Sequence, residues 1–179
     1  MKKIFITGPE SCGKTSLSEY LHLHLPQAFL HKEYAREYLE SKNGFYNYSK
    51  ADLKAIVEKQ EALWKYAVND CAYIIFDTDP LVLKVWIEEV YQEQWPEVER
   101  MLTEMAPDIT LLCKPDIIWE PDPLRENPND RQRLFDKYEN YLKSMHREYF
   151  IVSGEGETRH ANTLELIESA LPVNQAKQQ

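Results

Sequence analysis

The sequence predicts an α/β protein built on a parallel sheet of five short strands, and three observations carry that expectation. Short apolar or β-branched runs recur along the chain, helical patterns separate them, and the chain is long enough at 179 residues to bury its own core. The strand candidates are Ile4 to Thr7, Ala28 to His31, Ala72 to Phe76, Ile109 to Cys113 and Tyr149 to Val152.

Between them, Lys14 to Leu25 places Leu17, Leu21 and Leu25 on one helical face. A longer stripe runs from Leu53 to Ala67 after a Ser49 cap, and includes Ile56, Val57, Gln60, Leu63 and Trp64. Pro80 suits the first position of a third helix through Val82, Val85, Trp86 and Ile87, with an end expected near Trp95-Pro96. A shorter helix follows over Glu97 to Met105. The stretch KPDIIWEPDPLRENPNDRQR, residues 114–133, holds four prolines and no glycine and reads as a stiff, lid-like excursion. The expected organisation is a single domain over 1–179, with a frayed tail at 172–179.

The formal charge of −9, with acids spread along the chain, gives no basic surface for nucleic acid. No run approaches a membrane span or a signal peptide, so neither partner is expected. Cys12, Cys71 and Cys113 lack the spacing of a zinc site or disulfide framework and read as free thiols in a reducing, cytoplasmic setting.

The chemistry begins at Gly8-Pro9-Glu10-Ser11-Cys12-Gly13-Lys14-Thr15, which satisfies G-x-x-x-x-G-K-[ST] between a strand and a helix start. That context is what a phosphate cradle needs. Backbone amides turn inward, the helix terminus adds partial positive charge, Lys14 reaches the β and γ phosphates, and Thr15 offers a hydroxyl to magnesium. A GTPase is excluded because no aspartate stands three before a glycine, and Cys113-Lys114-Pro115-Asp116 lacks the amide that its base-reading element requires. Motor and AAA-type ATPases are set aside on chain length, which leaves a compact phosphotransferase.

The strand at Tyr73 to Phe76 runs into Asp77, a carboxylate suited to positioning magnesium or serving as base. Asp79 reads equally as a substrate contact and as a helix cap. Glu33 is expected at the carboxyl edge of the second strand, in the same crevice, with Arg36 either at the site or paired with it on the surface. Within the excursion, Arg125, Arg131 and Arg133 are candidates for closing over the phosphates; Arg125 is preferred because prolines flank it, whereas a solvent-facing reading from a helix start stays open for Arg131 and Arg133. Trp64 and Trp86 read as core and His22 and His24 as structural, whereas Trp119 stands apart among acids. SGEGETR, residues 153–159, reads either as a loop near the purine or as a plain turn.

The blocks GPESCGKT, EYAREYLE, FDTDPLVLKVW and KPDIIWEPDPLRENP together resemble the nicotinamide riboside kinase domain of NadR-type proteins, from about Ile4 to Arg159. The resemblance implies a P-loop NTPase, nucleotide-kinase-like three-layer fold with a lid, and transfer of the γ-phosphate of ATP to the 5′-hydroxyl of nicotinamide riboside. It makes Gly8 to Ser16 the ATP cradle, Asp77 and Asp79 the acidic pair, and Arg125 a lid residue. A crevice with Asp122 and Trp119 would then attract the pyridinium ring by charge and cation–π contact. The adenylyltransferase signature of larger members is missing from this sequence. A kinase of another nucleoside or small alcohol, and a nucleotide-sensing regulator without catalysis, stay open.

Overall fold

The computed structural model describes residues 1–42, 48–66, 68–119 and 129–172. Five strands, β1 (Lys2–Thr7), β2 (Ala28–His31), β3 (Tyr73–Asp77), β4 (Ile109–Cys113) and β5 (Tyr149–Val152), form one sheet in the order β2-β3-β1-β4-β5. Every pairing is parallel. The strand candidates thus all form, and the crossovers put β1 at the point where chain order reverses on either side, the place where open α/β sheets bind ligands.

The helices are α1 (Lys14–His24), α2 (Tyr34–Ser41), α3 (Lys50–Lys65), α4 (Pro80–Tyr91), α5 (Pro96–Glu104), α6 (Arg131–Ser144) and α7 (Gly156–Ala170). Both faces of the sheet are covered, because strands in a two-sided sheet send alternate residues to opposite layers. Ile4 and Ile6 of β1 meet Leu17, Leu21 and Ile167 of α1 and α7. Phe5, between them, joins Leu53, Val57, Trp64, Leu83 and Ile87 of α3 and α4. Trp64 is therefore core, as its helical spacing predicts.

Ser49 caps α3 through a reciprocal box with Asp52. The end of α4 differs from expectation: Gln92 turns left-handed at φ 55° and donates its N–H to Glu88, so the helix stops at Tyr91. Most of the segment read as a loop or turn at 153–159 is helical, since α7 begins at Gly156. Arg125 and Asp122, with the rest of 120–128 in the proline-rich excursion, Ala67 of the predicted helical stripe and the tail from 173, lie outside the described residues.

Candidate active site

The loop leaves β1 at Thr7 and enters α1 at Lys14. Gly8 takes φ +133°, and a Cβ there would lie 2.7 Å from the Cys113 carbonyl oxygen, so glycine is required by close approach as well as by conformation. Gly13 caps α1 in the left-handed region at φ 76°. The Lys14 ammonium spans the loop, donating to the carbonyls of Gly8 at 3.0 Å and Pro9 at 2.6 Å. Burial weighs against its charge, but Cys12, Glu33, Cys113 and Asp77 outweigh burial and raise its pKa. The Cys12 thiol donates to Pro9 at 2.8 Å and the Ser16 hydroxyl to Gly13 at 3.1 Å, so both side chains are spent on holding the loop.

Asp77 ends β3 opposite Ile6 and is almost wholly buried, with Oδ1 lacking a hydrogen-bond partner. Burial raises its pKa, against the pull of Thr15, Lys14 and Ser18. Thr78, next in the chain, holds φ 87°, a costly conformation for a β-branched residue. That corner separates the acids. Neither lines the cavity, but Asp77 stands beside Lys14 and Thr15 of the loop, whereas Asp79 is fully buried and accepts the Val82 N–H at 3.1 Å as the cap of α4. Of the two readings the sequence offered for Asp79, the geometry shows the cap. Burial lifts its pKa from 3.8 to about 6, opposed by Thr7, Arg147 and backbone amides.

A cavity of about 630 Å³ opens over the loop. Glu33, at the N-terminus of α2, lines it together with Arg36, and burial raises the Glu33 pKa despite Lys14 and Arg36 nearby. Beyond them the wall is formed by Leu39, Tyr48, Val85, Trp86, Glu89 and Tyr138. The Trp86 indole donates to the Tyr48 hydroxyl at 2.8 Å, with the rings edge to face at 5.3 Å. Glu89 is held by Arg133 at 2.7 Å and Lys137 at 2.8 Å, which keep its pKa low at about 2. At the other end Ile117, Ile118, Glu155 and Gly156 line the space, so the 153–159 segment does reach the cavity.

Several expectations change here. Trp86 packs against the core, as its spacing predicts, and also lines the cavity; Val82, Val85, Trp86, Glu89 and Val90 all line it at i, i+3, i+4, i+7 and i+8, a second face of α4 beside that of Leu83 and Ile87. That second face was the signal available in the sequence. Trp119 is not among the lining residues, and its indole nitrogen is buried without a partner. Arg131, for which a solvent-facing reading stood open, instead donates to Ser11 and Ile117 at 3.0 Å each, while Arg133 is exposed and pairs with Glu89. Asp116 of the near-miss element accepts from Gly154 and Arg159.

The loop, the central strand and the sheet order define a P-loop protein with the nucleotide-kinase fold. A model of the family described as AAA domain matches residues 3–159, and the chain belongs to that family. Chain length, the ground for setting AAA-type proteins aside, therefore does not separate them, since the matched region fits within this short chain. Among solved structures the chain is similar to "NadR protein in complex with NR", with a TM-score of 0.78 at 20% identity over 99% of this chain and 53% of that one. NadR in complex with NAD and AMP-PNP gives 0.74 at 20% identity over 98% of this chain and 51% of that one. The chain thus spans about half the length of these NadR structures. A deoxyadenosine kinase from M. mycoides gives 0.68 at 16% identity over 93% and 99% of the respective chains. No curated protein matches the sequence. Among the described residues, no helix is long and apolar enough to cross a membrane.

Proposed function

We propose that this chain is an ATP-dependent phosphotransferase that phosphorylates the 5′-hydroxyl of nicotinamide riboside to give nicotinamide mononucleotide. One observation carries the reading: a single cavity runs from the phosphate loop to a wall where an aromatic pair, Trp86 and Tyr48, stands near the carboxylate of Glu89. A nicotinamide ring on a riboside is a cation, and it would gain cation–π attraction from that wall. The solved NadR structures with NR and with AMP-PNP support the same assignment by fold.

Glu33 is the proposed base, because it lines the cavity and its raised pKa suits proton abstraction nearer neutrality. Lys14 stabilises charge on the transferring phosphoryl, and the inward amides of the loop hold the rest of the polyphosphate. Asp77 is assigned to the metal side rather than to the base. Its unpaired buried oxygen and the Thr15 hydroxyl fit magnesium, which takes few protein oxygens and completes its shell with phosphates and water. When bound, the ion neutralises the β- and γ-phosphate oxygens. Arg36 is proposed to orient the acceptor beside Glu33.

The test is incubation with ATP, magnesium and either nicotinamide riboside or a panel of deoxynucleosides, followed by mass spectrometry. Nicotinamide mononucleotide as the main product is expected. Phosphorylation of a deoxynucleoside in its place would overturn the acceptor, and nucleotide binding with no product from any acceptor would favour a sensor.

A further inference from the structure

A phosphate cradle turns its amides inward, and its carbonyl oxygens are thereby left on the outer side, where each needs a donor. In this chain Lys14 serves Gly8 and Pro9, and arginines remote in sequence serve Ser11 and Cys12. Arg159 of α7 is buried at 3% exposure and donates Nη2 to the Cys12 carbonyl at 2.9 Å. Its Nη1 donates to Asp116 Oδ1 at 2.9 Å and to the Gly154 carbonyl at 3.0 Å. Asp116 also accepts the Gly154 N–H at 2.8 Å, so the guanidinium is fixed from several sides. Arg131, the first residue of α6, donates Nη1 to the carbonyls of Ser11 and Ile117, each at 3.0 Å. Neither arginine lines the cavity.

The peptide unit whose oxygen Arg131 holds carries the Cys12 N–H, and the one that Arg159 holds carries the Gly13 N–H. A cation on an amide oxygen polarises that amide and strengthens what its N–H donates on the other side. Ser11 keeps a left-handed φ of 52°, a conformation that a serine holds at some cost and that the Arg131 contact helps retain. We infer that Arg131 and Arg159 are positioning residues that act through the loop backbone, from behind, to set how tightly it grips a nucleoside polyphosphate. The inference rests on the ATP-dependent reading above.

Arg131 is half-buried at a helix start, so its variants are the direct probe. Calorimetry with magnesium AMP-PNP is run on the wild type, R131M and R131K, with nicotinamide riboside titrated separately and melting temperatures recorded. R131M is expected to bind AMP-PNP about tenfold more weakly with riboside affinity unchanged, as for loss of one charge-assisted bond, and R131K to recover most of the loss. Asp116→Asn, which weakens the anchor of Arg159 without emptying the core, should lower AMP-PNP affinity in the same direction by a smaller factor. A wild type that fails to bind AMP-PNP overturns the underlying reading. A wild type that binds, with R131M equal to it or weakened equally toward both ligands, overturns the inference alone.

Discussion

Along one wall of the cavity the chemistry is carried by the backbone of a single run, Gly8 to Thr15, whereas the opposite wall is assembled from side chains of α2, α4 and α6 together with Tyr48. On the proposed function, the first wall recognises phosphate, whose charge and shape are the same in every nucleotide, and backbone amides suffice for that. On the same proposal the second recognises one particular acceptor, which requires side chains of chosen size, polarity and charge. A backbone device confines its residues to one stretch of sequence. A side-chain device does not, and the two walls should therefore respond differently to substitution.

Glu33 stands where the walls meet and gives the largest expected effect. Glu33→Gln keeps the size of the side chain but cannot accept a proton, so kcat should fall by about 10²–10⁴ while the KM for ATP changes little. The base must be ionised to act, and its pKa lies above the ordinary 4.5. In the parent enzyme kcat/KM should consequently fall as pH drops through a value higher than that of a free glutamate, and this acid limb should vanish in the variant. A pH profile of both proteins checks it. Retention of the limb in Glu33→Gln would move the base to another group.

A second prediction concerns the floor beneath the phosphate wall. Asp79 has its pKa raised from 3.8 to about 6 in the fold, so the folded chain keeps a proton that the unfolded chain has already released. Its contribution is therefore harmless below about 4, stability declines as pH rises toward about 6, and the full cost persists above that. A shift of this size corresponds to a cost of at most about 3 kcal/mol. Asparagine caps a helix as well as aspartate does, so Asp79→Asn should be as stable as the parent or more stable at neutral pH and lose the decline between those values. Urea denaturation across the pH range measures it, with turnover at neutral pH expected to stay near the parent value.

The contrast between the walls also explains what the sequence made legible. The strands, the cap at Ser49 and the loop at Gly8 to Thr15 depend on local patterns, and all of them appear in the structure where those patterns lie. The contacts of Arg131 and Arg159 are with distant partners, Ser11 and Cys12, separated by more than a hundred residues, and no local spacing reports them. Trp86 is the intermediate case. Its spacing reports the side that packs on the core, while nothing local reports that the same ring also lines the cavity. Thr78 is the converse: its positive φ stands between Asp77 at the end of β3 and Asp79 at the cap of α4, and a strained β-branched residue is not something a residue pattern announces.

The smallest expected effect tests the acceptor wall itself by setting two tryptophans against each other. Trp86 lines the cavity and donates to Tyr48, while Trp119 is absent from the lining residues. Removing a partly exposed cation–π partner costs about 0.5–2 kcal/mol, so Trp86→Ala should raise the KM for nicotinamide riboside about tenfold and leave the KM for ATP within about twofold. Trp119→Ala should change the riboside KM by less than Trp86→Ala does. Because the gain from Trp86 comes from the ring's positive charge, a neutral nucleoside acceptor should lose less than the riboside does in the same variant. Steady-state kinetics with both acceptors separates the cases: equal losses would make Trp86 a matter of shape alone, and a larger loss at Trp119 would move the ring toward the 114–133 segment and away from α4.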